Sequence, residues 1–388
     1  MRNSFFLSIF AQNLTMFRKK IEINQHLFYE TSHSPSLLDI VGEEMLDRVI
    51  DFCFIENPYY PGKKLLRKIK RKLPVVIKSY PSSNPLLAQK DLAAVVHVKP
   101  EQLLIGNGAT ELITIIQHQL VQAMGIPIPT FSEYIEKIQD LGKVKLFQLA
   151  AEKDYQLDLD EYATWIREQK LGTALIINPG NPTGQYLSVA EMRKFLQEMK
   201  DLNLVLVDES FIDFADDEVP TLIPYIEEFK NLIIVRSMSK HCGIPGLRLG
   251  YCCTANEEFQ KKIKAALPVW NINTLAEYFL TQLKATDEGY HVSRKKVIRD
   301  VRELYDQLKS IPGFKVYPTG SNFILLKATG GISAYDLQMQ LLQEFGVYVR
   351  DCSNKVGLDK SHIRVASKGR KKDKILIKAL KSLSKELN

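Results

Sequence analysis

Long hydrophobic runs are missing from this sequence. No apolar stretch in its 388 residues approaches the ~20 that a helix needs to cross a bilayer, so no membrane role is expected. Cysteine is sparse and unpatterned. Cys53, Cys242, Cys252, Cys253 and Cys352 form an odd set with no C-x-x-C pair, which excludes a disulfide scaffold and points to a reducing compartment, the cytoplasm. H-E-x-x-H is absent and the seven histidines are scattered, so no metal site is expected. No G-x-G-x-x-G follows a strand, and neither a P-loop nor a G-x-S-x-G turn occurs, which removes dinucleotide folds, P-loop NTPases and serine hydrolases of that type. Internal repeats and low-complexity linkers are absent too.

What remains is an ordinary globular mix, 45% hydrophobic and 25% charged. The length suggests two domains. The net charge of +7 has one source. From Lys368 to Lys385 the chain carries Lys368, Arg370, Lys371, Lys372, Lys374, Lys378, Lys381 and Lys385 against the single acid Asp373, an excess equal to that of the whole protein. Leu376, Leu380, Leu383 and Leu387 recur there at helical spacing, so the tail reads as an amphipathic helix with a solvated basic face. A nucleic-acid binder would carry its basic surface on the body of the fold, and none is expected here. The run Phe5 to Ala11 behind Arg2 is short for a signal peptide and has no clean cleavage site; it reads as an arm or a short packing helix, with secretion as the alternative.

From residue 100 onward short apolar runs alternate with amphipathic stretches. Strands are expected at Leu103–Gly106, Val144–Leu149, Ala174–Ile177, Leu204–Val207, Leu232–Val235 and Leu249–Cys253, and helices at Ala109–Met124 and Val189–Lys200. That rhythm means βαβ units and a mostly parallel sheet, an α/β fold that binds ligands at the C-terminal ends of its strands. After Leu275 the pattern becomes a long charged helix (Ala276 to Ser310), then strands at Asn322–Leu326, Val347–Val349 and Ile363–Ala366 around a helix at Ala334–Phe345. The expected division is an N-terminal segment, 1–50, packed on a small α+β domain, 276–388, with a large domain, 51–275, between.

The unusual residues sit just past the buried strands. Asn178-Pro-Gly-Asn-Pro-Thr-Gly184 fixes a tight turn that either holds Asn181 toward a ligand or only shapes a loop. Asp208, closing the run before Glu209-Ser210, is either a helix cap or a site carboxylate. Lys240 in Arg236-Ser-Met-Ser-Lys240 occupies a place where desolvation lowers an amine pKa and makes a Schiff-base nucleophile, and Arg248 follows in Gly246-Leu-Arg-Leu-Gly-Tyr251.

Together NPGNPTG at 178–184, VDESFIDF at 207–214 and SMSKHCGIPGLRLGY at 237–251 resemble the fold-type I pyridoxal-phosphate (PLP) enzymes of the class I/II aminotransferase group, nearest the histidinol-phosphate aminotransferase and threonine-phosphate decarboxylase branch. The resemblance runs from about Asn57 to Val365. It implies a large domain with a mostly parallel seven-stranded sheet flanked by helices, PLP as cofactor, and a homodimer with shared active sites. Catalysis falls to Lys240, the Schiff-base lysine, and Asp208, the partner of the pyridine nitrogen. Asn181 serves the ring oxygen and the substrate. Asn107, Gly108, Ala109, Thr110, Ser237, Ser239 and Arg248 cradle the phosphate, the helix start at Ala109 and Thr110 being an anion site. Phe131 either stacks on the ring or packs in the core. Tyr80 reaches the phosphate of a neighbouring subunit.

Arg364 matches the arginine that holds the substrate carboxylate, a task suited to a guanidinium fork. Arg350 either binds a second anion or pairs with Asp351. Lys63, Lys64, Lys68, Lys70 and Lys72 either shape an entrance or form a solvated helix face. His241 is expected to pack beside the site without serving as a base. Phe211 stands where many family aminotransferases carry a tyrosine that bonds the ring oxygen, and the decarboxylase branch tolerates Phe there. The main expectation is a transaminase moving an amino group between an L-amino acid and a 2-oxo acid. The alternative is a decarboxylase of a phosphorylated amino acid, since the same residues serve either bond.

Overall fold

Seven apolar runs between residues 103 and 253 pair into one sheet: β1 (Leu103–Asn107), β2 (Met124–Ile128), β3 (Val144–Gln148), β4 (Thr173–Ile177), β5 (Leu204–Asp208), β6 (Leu232–Ser237) and β7 (Leu249–Cys253). The computed structural model describes residues 21 to 385 apart from 22, 30 to 32 and 139, so the run Phe5 to Ala11 lies outside the described residues. Strand order is β1-β7-β6-β5-β4-β2-β3. Strand β7 runs against both of its neighbours and the remaining pairs are parallel. Strands β5 and β6 are buried at every residue, as unbroken apolar runs must be when helices cover both faces of a sheet.

One helix differs from the sequence reading. The helix Ala109–Leu120 stops short of Met124, and Met124 instead opens β2. The prolines in Gly125-Ile-Pro-Ile-Pro129 disguise this strand. Pro127 has no N–H to give, and the ladder from β2 to β4 covers only Met124 and Gly125, whereas that to β3 runs from Met124 to Ile128.

The remainder forms a second core. Strands β8 (Phe314–Val316), β9 (Phe323–Ala328), β10 (Arg350–Asp351) and β11 (His362–Ala366) make an antiparallel sheet in the order β10-β11-β9-β8. Val301, Leu304 and Leu308 pack on it with Leu337 and Leu341 and with Leu376, Leu380 and Leu383. The expected helix Ala276 to Ser310 is broken, into Thr274–Leu280 and Asp287–Lys309. The tail helix Arg370–Ser384 turns its leucines inward and exposes Lys371, Lys372, Lys374 and Lys378. Lys368 leaves that basic set: it is buried, donating to Phe54 O at 2.7 Å and pairing with Glu56. Toward the N-terminus, Ile50–Asp51 pairs in parallel with Val347–Tyr348, and Ile21, Ile40, Val41 and Val49 pack with Leu342 and Tyr348. Lys63–Val76 is a helix on which Lys63, Lys64, Lys70 and Lys72 are exposed.

Candidate active site

The strand ends carry the chemistry, and local bonding explains how each residue is aimed. Beyond β4, the Asn178 side chain grips Leu187 at both ends, donating to its carbonyl at 2.8 Å and accepting from its N–H at 2.9 Å. The Gly184 N–H closes the turn on Gly180 O at 2.8 Å. This clamp holds Asn181 facing a cavity of about 470 Å³. Its Oδ1 accepts from Arg364 Nη1 at 2.6 Å, which leaves the amide N–H groups as what Asn181 offers a ligand.

At the end of β5, Asp208 is 4% exposed. The Tyr134 hydroxyl donates to its Oδ2 at 2.9 Å and the Ser210 N–H to its Oδ1 at 2.9 Å. Burial raises its pKa, opposed by those hydrogen bonds and by Lys240. At the end of β6 the short helix Met238–His241 presents Lys240 to the cavity while the lysine carbonyl accepts from Asn57 N–H at 2.8 Å. Desolvation, reinforced by Arg364 and Arg248, brings the Lys240 ammonium down to about 8.

Opposite these groups lies an anion cradle. The helix Ala109–Leu120 starts at the cavity wall, with Thr110, Ser237, Ser239 and Arg248 beside it. Arg248 Nη1 donates to Pro245 O at 3.2 Å and stands 3.5 Å from Ser239 Oγ. Two glycines permit this closeness. Gly108 has φ +80°, and a Cβ there would meet Arg248 Nη2 at 2.7 Å; a Cβ on Gly250 would meet Ala109 N at 2.3 Å.

The cavity thus brings together Ala109, Thr110, Phe131, Asn181, Asp208, Ser237, Ser239, Lys240, Arg248, Arg350 and Arg364. Asn107 and Gly108 flank the helix start outside its lining. Tyr80 is elsewhere in its own chain, 83% exposed with its ring 5.4 Å from Trp270. Phe211 lines the cavity and packs edge-on against Phe323 at 5.0 Å. His241 is buried in a neighbouring cluster, its Nδ1 3.7 Å from Asp213, and burial lowers it to about 4.

Strands β10 and β11 place Arg350 and Arg364 directly opposite each other. Arg364 donates through Nη2 to Cys53 O at 2.8 Å, while its Nε is buried without a partner. Arg350 donates to Ser34 Oγ at 2.6 Å and to Asn354 Oδ1 at 3.1 Å. These neutral contacts replace the expected alternative of a pair with Asp351, whose carboxylate accepts from Ser353 N–H. Sequence reasoning missed Tyr134, Ser34, Cys53 and Lys355, which meet the site only in space. Tyr134 had one signal, its place in the same Pro129-Thr-Phe-Ser-Glu-Tyr134 stretch as Phe131. At the rim, His33 Nε2 bonds Glu133 Oε1 at 2.8 Å, which lowers the Glu133 pKa.

These residues fit PLP. The two glycines leave room where backbone must approach a phosphate, the buried Asp208 lacks a cation of its own among the described residues, and Lys240 is a half-buried amine tuned toward neutrality.

The chain matches the family model described as aminotransferase class I and II over residues 47–380. It is 36% identical over 369 residues to an L-serine phosphate decarboxylase of Sulfurospirillum multivorans, covering 92% of this chain and 93% of that one. It is 34% identical over 369 residues to an L-serine phosphate decarboxylase of Campylobacter jejuni, covering 92% and 94%. Among solved structures, a histidinol-phosphate aminotransferase from Clostridium acetobutylicum has a TM-score of 0.80 at 27% identity, covering 87% of this chain and 100% of that one. The higher identities belong to decarboxylases, which overturns the expectation of a transaminase. The motifs misled because Lys240, Asp208 and Asn181 serve the cofactor whichever bond at Cα is broken.

Proposed function

Because the chain belongs to the class I and II aminotransferase family and is a PLP enzyme, we propose that it is a decarboxylase of an O-phosphorylated L-amino acid, of the size of phosphoserine or phosphothreonine. One observation carries this reading: Arg350 and Arg364 face each other across two antiparallel strands and both line the cavity. Like charges directly opposite on a sheet are destabilising, so a substrate with two separate anionic groups is what makes the arrangement favourable.

PLP, when bound, supplies a ring that accepts the electron pair released as the Cα–carboxylate bond breaks. Arg364 offers its unpartnered Nε edge to that carboxylate as a planar fork. Asp208 holds a proton on the ring nitrogen, and the cationic ring lowers the carboxylate's raised pKa. Asn181 donates its amide to the ring oxygen, Arg248 and the N-terminus of the helix Ala109–Leu120 take the cofactor phosphate, and Phe131 covers a ring face. Carbon dioxide leaves, and the Lys240 ammonium returns a proton to Cα, giving a phosphorylated amine. Phe211 supplies no hydroxyl beside Asn181, in keeping with the decarboxylase branch.

The reading extends to a cytoplasmic homodimer, supported by five buried, unpaired cysteines and by the exposed aromatic pair Tyr80 and Trp270. It divides the chain into a large domain, 51–275, and a small one, 276–388, on which the first 50 residues pack.

The test is to incubate PLP-loaded enzyme with O-phospho-L-serine and O-phospho-L-threonine, and separately with histidinol phosphate plus 2-oxoglutarate. Carbon dioxide and phosphorylated amine in equal amounts are expected from the first. Pyridoxamine phosphate and a new oxo acid without carbon dioxide would overturn the proposal. Lys240→Ala should lose the reaction.

A further inference from the structure

Five lysines and arginines line the cavity: Lys240, Arg248, Arg350, Lys355 and Arg364. On the proposed function, on which this inference rests, Lys240 and Arg248 are committed to the cofactor and Arg364 to the substrate carboxylate. Two cations remain, Arg350 and Lys355. The cavity carboxylates do not neutralise them, since Asp208 accepts from Tyr134 and Ser210, and Glu133 bonds His33. A single carboxylate would leave one of the two uncompensated, whereas a phosphate monoester carries close to two negative charges at neutral pH.

The loop that follows β10 is built to deliver Lys355. Its N–H bonds Cys352 O at 3.0 Å, and its ammonium reaches across to the Ser132 hydroxyl, a neutral partner on the segment after β2. Gly357, at φ +94°, lets the loop lie against that segment, since a Cβ there would stand 3.1 Å from Pro129 N and from the Gln148 side chain. Lys355 makes no ion pair among the described residues, although it is half-buried. We propose that Lys355 is a specificity-determining residue, which together with Arg350 clips a dianionic phosphate on the substrate side chain and selects it over a second carboxylate. Burial and the nearby Arg350 hold the Lys355 ammonium down to about 8, a cost that a bound dianion relieves.

The experiment compares wild type, Lys355→Met and Lys355→Arg as PLP-loaded enzymes, with O-phospho-L-serine as substrate and inorganic phosphate as the ligand titrated by calorimetry. Loss of one charge-assisted contact should raise KM and the phosphate Kd by about 10- to 100-fold, with kcat within about threefold, and Lys355→Arg should recover most of the difference. Unchanged KM and phosphate affinity in Lys355→Met, with an active wild type, would overturn the assignment while leaving decarboxylation standing. A wild type that releases no carbon dioxide from any phospho-amino acid would overturn both. A second measurement needs no variant: phosphate should protect Lys355 of the wild-type holoenzyme from trinitrophenylation, read by peptide mass, and equal labelling with and without phosphate would count against the clip.

Discussion

At the scale of the residue, Lys240 and His241 are adjacent in sequence but face different surroundings. Lys240 lines the cavity near two arginines, and burial with their charge brings its ammonium to about 8. In protein stripped of cofactor, roughly a tenth of the amine is then neutral at pH 7 and about half at pH 8. The rate of PLP capture should therefore rise about fivefold over that unit and level off near pH 9, followed by cofactor absorbance in stopped flow. An ordinary lysine would keep gaining about tenfold per unit through pH 9, and that result would remove the tuning. His241 is buried against Asp213, Arg236 and Tyr290, with its Nε2 unpartnered, and is held to about 4 against an ordinary value near 6.5. The folded-state pKa is depressed, so between about pH 6.5 and 4 the unfolded chain binds a proton that the folded chain refuses, and stability falls as pH falls through that window. The full effect is on the order of 3 kcal/mol. Urea unfolding of wild type and His241→Gln at pH 7 and 4.5 checks it: the variant should lose about 2 kcal/mol less on acidification, and equal losses would contradict the assignment. Lys240 was legible in the sequence because it closes a motif behind a buried strand. Lys355 was not, because its role depends on a loop folding over a strand end more than 200 positions earlier in the chain.

At the scale of the element, the site is a set of strand termini brought level by one sheet. Parallel pairing sets Ile177 against Asp208 and Asp208 against Val235, so the NPGNPTG turn, the carboxylate and the lysine helix leave the sheet side by side. That much follows from apolar runs and turn residues. Strand β2 did not follow, because two prolines break the alternation that marks a strand, and the sheet order, with β7 reversed between β1 and β6, is a tertiary choice that local pattern does not state. The closest packing between elements lies where β7 passes the start of the helix Ala109–Leu120. A Cβ at Gly250 would sit 2.3 Å from Ala109 N and 2.7 Å from Gly108 C, both backbone atoms with no rotamer to yield. Gly250→Ala must push the helix start from the sheet. We expect a loss of about 1–3 kcal/mol in stability, typical of overpacking, together with markedly faster cofactor dissociation, because the displaced N–H groups are those assigned to the phosphate. Thermal unfolding and the rate of PLP release on dilution test the two parts. A destabilised variant that keeps its cofactor as tightly as wild type would separate the glycine from the cradle.

At the scale of the whole molecule, a lone chain leaves apolar surface that its own fold does not explain. Val75, Ile77 and Tyr80 follow the helix Lys63–Val76 or end it, Leu86 and Leu87 open the next helix, and Val269 and Trp270 lie close by, as the Tyr80–Trp270 ring contact shows. Ile77 is 72% exposed and Leu87 67%. Scattered apolar residues need no explanation, but a contiguous band of this kind marks an interaction surface. The band adjoins the cofactor end of the site: Asn271, next to Trp270, donates to Ile105 O at 2.9 Å and to Glu111 Oε2 at 3.2 Å, tying that segment to the strand and helix that form the cradle. A second copy covering the band in a two-fold arrangement would bring its own Tyr80 near this end, the role implied for that residue by resemblance. The double substitution Ile77→Asp and Leu87→Asp places charges in the band without touching a residue of the cavity. Sedimentation velocity should find the wild type as a dimer at micromolar concentration and the double variant as a monomer. The monomer should also bind PLP more weakly, since the cradle then lacks the partner's tyrosine. Tyr80→Phe should weaken cofactor binding while leaving the dimer intact, which distinguishes a tyrosine that reaches across from one that merely packs. A wild type that sediments as a monomer at every concentration would remove the shared-site model, and the apolar band would then need a different partner.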